Sequence, residues 1–155
     1  MTIRTREPQT RRLADQDLER WLELWDGYLA FYRVELEPAL TRFTFERLRD
    51  GADGMLGLIA TDVEDHGLGF AHLLFHPSTW SSSGYCYLED LYVDRSARGM
   101  GVGRALIEAT YTEARSRDAD RVYWHTQQFN GAARSLYETV ARLTSYVVYE
   151  HELAS

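Results

Sequence analysis

The 155-residue chain contains no lysine: all 17 of its basic residues are arginine. That absence removes Schiff-base chemistry, pyridoxal-phosphate attachment and the P-loop lysine together. Cysteine is nearly as scarce, with Cys86 alone, so no internal disulfide can form and a reducing compartment is expected. No motif surrounds Cys86, and a small strand hydrophobe is its simplest reading. Long apolar runs are missing too. None approaches a membrane span, and Met1-Thr2-Ile3-Arg4-Thr5-Arg6 lacks the apolar core of a signal peptide, so the expectation is a cytoplasmic protein with no membrane association. A net charge of −7 gives no clustered positive footprint, which argues against nucleic acid as the main partner. It suits the steering of a cationic substrate, although solubility explains it more simply.

What is present centres on Tyr85 to Glu108. A strand-like run ends at Val93, Asp94-Arg95-Ser96-Ala97 follows, and then comes Arg98-Gly99-Met100-Gly101-Val102-Gly103. Helical spacing begins at once, with Val102, Leu106 and Ala109 on one stripe and Ala105 beside it. Glycines at this turn remove the Cβ atoms that would hold a ligand off the backbone. Strand, glycine turn and helix N-terminus together form an anion site, because unpaired N–H groups and roughly half a positive charge converge there. Arg98 adds a full charge. A P-loop is excluded, since Arg104-Ala105 stand where Lys and Ser or Thr are needed, and G-x-G-x-G departs from the dinucleotide spacing.

The string Leu88-Glu89-Asp90-Leu91-Tyr92-Val93, then Arg98-Gly99-x-Gly101-x-Gly103, then Leu106-Ile107, resembles the acetyl-CoA-binding signature of the GNAT superfamily of N-acetyltransferases. The resemblance implies that acetyl-CoA is the cosubstrate, its pyrophosphate held by Arg98, Gly99, Met100, Gly101, Val102, Gly103 and Arg104. It implies too that Leu91, Tyr92 and Val93 line the pantetheine arm.

The rest of the chain agrees in order. A short strand is expected over Ile3–Glu7, and a long helix after an Asp15 cap with Leu18, Trp21, Leu22, Trp25, Tyr28, Leu29 and Tyr32 at three- and four-residue steps, bounded by Pro38. A second helix is expected near Thr44, a hairpin over Met55–Val63 and Gly67–Phe75, and a turn over Pro77–Gly84 before the central strand. Arg121–Thr126 reads as a strand, Asn130 as the cap of a helix striped with Ala133, Leu136, Tyr137 and Val140, and Tyr146–Glu152 as a closing strand. The expected fold is α/β (α+β), a GNAT-like mixed, mostly antiparallel sheet flanked by helices. Residues 1–155 are expected to form a single domain.

A primary amine, with a reference pKa of about 10.4 for lysine, must lose a proton before it attacks a thioester. Glu89 is the candidate base, placed by strand alternation with Leu91 and Val93, while Asp90 faces the other way unless a bulge turns it inward. Pairing with an arginine, or simple attraction of a cation, is the competing reading of Glu89. A backbone N–H near Leu91 is the candidate oxyanion donor, free only if the central strand splays from its neighbour. The resemblance places Asn130 and Ala133 against the cofactor and Tyr137 near its sulfur as general acid. Proton transfer from tyrosine to that thiolate runs uphill by about 2 kcal/mol, which favours hydrogen bonding over full transfer.

For the acceptor, Trp25, Tyr28, Tyr32, Asp90 and Trp124 combine rings and a carboxylate suited to an ammonium. His72 and His76 share a strand face without a third ligand or a supporting partner, so no metal is expected. The string is most similar to the subgroup that acetylates polyamines, free amino acids and histone tails, which implies a small cationic amine as acceptor. Acetylation of protein or peptide lysines or N-termini, and a non-catalytic CoA-binding regulatory domain, remain as alternatives. The chain departs from many members at Ala141-Arg142-Leu143-Thr144-Ser145-Tyr146, which leaves the C-terminal pairing and a homodimer open.

Overall fold

A computed structural model describes residues 7–154. They fall into two compact units, one ending at His125 and the other starting at Thr126. The first holds β1 (Gln9–Arg12), α1 (Leu18–Tyr32), α2 (Pro38–Asp50), β2 (Met55–Thr61), β3 (Gly67–Ser78), β4 (Ser81–Val93), α3 (Val102–Ser116) and β5 (Val122–Tyr123). The second holds α4 (Gly131–Val140). The strands form one sheet in the order β1-β2-β3-β4-β5, antiparallel except where β4 meets β5. The mixed, mostly antiparallel class expected from the sequence is therefore the one observed.

Register decides what each face of the sheet carries. Ile59 pairs with Phe70, so both project to one side, where Trp21, Leu24 and Trp25 of α1 and Phe45 and Leu48 of α2 bury them. Burying each such side chain stabilises the fold by about 1.5–3 kcal/mol. The opposite face belongs to α3. Val102 lies against Gly69, and Arg117 stacks 4.2 Å from the Phe75 ring centre.

Several boundaries differ from expectation. Of the strand expected over Ile3–Glu7, residues 3–6 lie outside the described residues and Glu7 precedes the observed strand at Gln9. Asp15 does not cap α1. Asp17 stands at the N-cap position, and its side chain bonds backward instead of to the helix, accepting from the Ala14 N–H at 2.8 Å and from Arg11 at 2.6 Å, while Asp15 pairs with Arg49. Pro38 opens α2 at its first turn, where the missing N–H costs nothing, and α1 has already ended at Tyr32 with Arg33 in the left-handed region. The second helix thus starts six residues before Thr44. The turn expected over Pro77–Gly84 shrinks to Thr79-Trp80, because Ser81 pairs with Ser78 and its hydroxyl accepts from the Gly84 N–H. The strand expected over Arg121–Thr126 keeps only Val122–Tyr123.

Tyr146–Glu152 is not a strand. Residues 141–154 carry no helix or strand, and Tyr146, Val147, Val148 and Tyr149 are exposed. Strand propensity without a partner ladder leaves a chain extended and unpaired.

Candidate active site

The site is built on a defect in β4. His72 faces Asp90 and Leu73 faces Leu88, so Glu89 is the extra residue of a bulge. Before it, Cys86 and Leu88 pair with Phe75 and Leu73 and share their side of the sheet; after it, Asp90 and Tyr92 pair with His72 and Phe70 on the α1 side. Uniform alternation would have put 86, 88, 90 and 92 on one face. The bulge reverses it, so Asp90 turns inward, as the sequence allowed only for a bulged strand.

Asp90 lands in a chain of buried bonds. Its Oδ1 accepts from the Tyr28 hydroxyl at 2.6 Å, and its Oδ2 lies 2.8 Å from His72 Nδ1. On the other side of that ring the Trp21 indole donates to His72 Nε2 at 3.0 Å. An indole N–H can only donate, so Nε2 accepts and Nδ1 carries the ring proton toward Asp90. Burial, and then the charge of Asp90, pushes the Tyr28 phenol up, which keeps it a donor.

Glu89 is an exposed residue, yet its carboxyl is pushed above its ordinary range, first by partial loss of solvent and second by the charge of Asp90, while the charge of Arg47 pulls the other way. The charge of Asp90 therefore acts on Glu89 at the bulge. Tyr87 lies in the same field, its phenol raised by burial and then by Glu89. Tyr32 sits over Tyr28 with ring centres 5.0 Å apart and is largely exposed.

Beyond the bulge β4 loses a neighbour. Its pairing with β5 covers only Cys86 and Tyr87, so from Leu88 to Val93 no β5 residue lies alongside. The strand leads to Asp94, which accepts from the Ser96 N–H at 3.3 Å and from Arg20 at 2.5 Å, anchoring the coming turn to α1. Gly99 and Gly101 then adopt φ of +81° and +79°, and a Cβ at either would meet nothing within 4 Å. Open space on both glycines is room for a ligand against the backbone. Gly101 leads into α3, whose first amide with a helical acceptor is that of Ala105, bonded to the Gly101 carbonyl; the first-turn N–H groups before it have none within the helix. Arg98, Met100 and Arg104 are exposed around this turn. The geometry fits a phosphate-bearing cosubstrate: amides and open glycines at one end, an unpaired strand edge leading to two carboxylates at the other.

Other nominated residues fall elsewhere. Trp25 is a core residue, 6% exposed, stacked on Trp21 and Tyr28 at 5.5 and 5.3 Å. Its ring is placed for packing and not for an acceptor. The Tyr92 ring packs on Phe70 and lies against Gly27, so only its main chain is offered to a ligand. Trp124 is half-buried just past β5. In the second unit, Asn130 precedes α4 and Ala133 and Tyr137 lie on its half-buried stripe.

His72 does have the supporting partner the sequence reading denied it, and Trp21 was missed altogether. One signal was available: a lone histidine inside Gly69-Phe70-Ala71-His72-Leu73-Leu74 must find bonding partners once buried. His76 is likewise committed, to Tyr123 at 2.7 Å and the Pro77 carbonyl at 2.8 Å. Among the described residues no group of three or more His, Cys, Asp or Glu could hold a metal, and no helix is long and apolar enough to cross a membrane. Burial pushes the Cys86 thiol up to about 12, which leaves no thiolate at neutral pH.

Comparison with known proteins identifies the family. The acetyltransferase (GNAT) family model matches residues 18–141. The chain is 37% identical over 141 residues to a D-amino-acid N-acetyltransferase of Saccharomyces cerevisiae, covering 90% of this chain and 88% of that protein. It is 32% identical over 137 residues to an aminoglycoside N(6')-acetyltransferase type 1 of Klebsiella aerogenes, covering 84% and 86%. Among solved structures, a probable acetyltransferase superposes with a TM-score of 0.82 at 24% identity, covering 95% of this chain and 99% of that one. At that identity the likeness speaks for the fold.

Proposed function

The chain belongs to the GNAT acetyltransferase family and is an acetyl-CoA-dependent N-acetyltransferase, and we propose that it acetylates the primary amine of a small cationic acceptor by direct attack in a ternary complex. The observation that carries this reading is the bulge at Glu89, which sets two carboxylates at the end of an unpaired strand edge that runs into an open glycine turn. The family match runs across the boundary between the two compact units, which supports treating the whole chain as one domain. A cytoplasmic location belongs to the same proposal, supported by the single buried, unpaired cysteine.

Acetyl-CoA supplies a thioester carbonyl when bound. The amides of Gly99 to Gly103 grip its diphosphate, and the free edge of Leu91, Tyr92 and Val93 aligns its arm. Asp90, held by His72 and Tyr28, attracts the acceptor ammonium. Glu89 takes a proton from it, and its raised pKa brings the base closer to working pH. The amine nitrogen bonds to the carbonyl carbon while the Leu91 N–H steadies the developing oxyanion, and the carbon–sulfur bond then breaks. Of the two protons the ammonium loses, one ends on the departing thiol and the other goes to solvent. The roles of Asn130 and Ala133 toward the cofactor, and of Tyr137 toward the sulfur, rest on the resemblance and on their lying on one helix.

Thiol release from acetyl-CoA, followed with spermidine, free amino acids, an aminoglycoside and a basic peptide, tests the proposal. Turnover with a free amine supports it. Tight CoA binding without release for any acceptor overturns it, and a wide preference for the peptide moves the acceptor to proteins.

A further inference from the structure

The chain of bonds at Asp90 begins deeper than the carboxylate, at an indole that no step of the reaction touches. Trp21 is fully buried, stacked on Trp25 with ring centres 5.5 Å apart and tilted against Phe45 at 5.2 Å, which fixes the direction of its N–H. That N–H donates to His72 Nε2 at 3.0 Å, and His72 Nδ1 donates to Asp90 Oδ2 at 2.8 Å. The His72 ring is itself 1% exposed, lying flat on Phe70 with centres 4.3 Å apart and tilted against Trp25 at 5.3 Å. The ionisable groups around this ring are Asp90 and its neighbour Glu89 on β4, and the Tyr28 phenol of α1, which reaches the same carboxylate at 2.6 Å.

A carboxylate bonded to a histidine can stand in two charge states, and they differ in what they offer a cation. With a neutral imidazole the pair keeps one full negative charge; with an imidazolium it is neutral overall. An adjacent carboxylate favours the imidazolium. An imidazolium, however, carries a proton on both nitrogens, and the second would point at the Trp21 N–H, donor against donor. The indole therefore blocks the state that Asp90 alone would favour. His72 directs its one proton to Asp90 and leaves the charge of that carboxylate in place. Each carboxylate oxygen has one donor and lone pairs to spare, and the side chain is 15% exposed, so a cation can still reach it.

We propose that Trp21 and His72 are positioning residues for the acceptor: the indole holds the imidazole in its neutral Nδ1–H form, so that Asp90 meets the incoming ammonium with its negative charge uncancelled. This rests on the reading of Asp90 as the group that attracts the ammonium. No bond of the substrates is made or broken by either residue; both act through Asp90, on how tightly the acceptor is held.

The test uses the full chain with ¹⁵N-labelled histidine, and as acceptor whichever of spermidine, a free amino acid or an aminoglycoside turns over fastest. NMR of the imidazole nitrogens at neutral pH should find His72 with one ring proton, on Nδ1, and Trp21→Phe, which keeps a ring in the stack but removes the N–H, should give it the second. The same variant should raise acceptor KM by roughly tenfold, with kcat and KM for acetyl-CoA within about twofold of wild type. Adding His72→Asn to it places a neutral amide donor opposite Asp90 that cannot take a charge, and the double variant should recover most of the lost acceptor affinity. That recovery separates an effect of charge from one of packing, since the double variant is the more disturbed of the two. A doubly protonated His72 in the wild type, an unchanged acceptor KM in Trp21→Phe, or a loss that the double variant deepens overturns the inference while leaving the acetyltransferase reading intact. An unchanged acceptor KM in Asp90→Asn overturns the reading of Asp90 on which the inference rests, and no thiol release with any acceptor overturns the proposed function; the inference falls with either.

Discussion

The two halves of β4 are made from the same strand and do opposite work. From Tyr85 to Leu88 the strand is paired on both sides at Cys86 and Tyr87, its side chains are stacked or buried, and Tyr87 lies on Tyr123 with ring centres 4.9 Å apart. From Asp90 to Val93 it keeps only β3. One extra residue, Glu89, separates a half paired on both sides from a half with one edge unpaired, the half to which the proposal assigns the cosubstrate. Binding surface is gained where structure stops satisfying the strand.

That contrast can be broken most severely at the bulge itself. Glu89→Gln should lower kcat/KM for the acceptor by roughly 10²–10⁴-fold, the range for removing a general base, with CoA affinity unchanged in a calorimetric titration. A loss below tenfold would make Glu89 an attractor of cations and nothing more. On the paired half the response should be of the other kind. Leu88→Ala removes a side chain only 2% exposed and should cost about 2–5 kcal/mol in chemical denaturation, with KM values unchanged in the folded fraction. At the end of the open half, Gly101→Ala places a Cβ on a left-handed residue at a cost of about 1–2 kcal/mol, and should weaken CoA binding by about tenfold while leaving the fold.

The mildest change is a shift in pH response. Glu89 must be a carboxylate to accept a proton, so kcat/KM falls as pH drops through its raised pKa. Asp90→Asn removes one of the two influences that raise it, so the acid limb of the pH–rate profile should move to lower pH. An unmoved limb would mean that Asp90 does not act on Glu89 in solution.

What the sequence disclosed and what it hid follow the same division. The glycine turn was readable because Gly99 and Gly101 are needed for a backbone shape that other residues avoid, and local shape is written locally. The bulge was not readable: Leu88-Glu89-Asp90-Leu91 satisfies two alternations equally well until β3 fixes the register. His72 found its partners, Asp90 and Trp21, only through that register and through the packing of α1. Pro38 misled because a proline ends one helix and begins the next with equal ease. Tyr146–Glu152 has the composition of a strand, yet a ladder needs a second chain segment that composition cannot supply.

Hydrogen–deuterium exchange of the backbone, resolved along β4 and through the glycine turn, with and without CoA, tests the division most directly. Adding CoA should slow exchange at Leu91–Val93 and Gly99–Gly103 and leave the already paired Cys86 and Tyr87 unchanged. A folded protein whose exchange is the same at both halves in saturating CoA would contradict it.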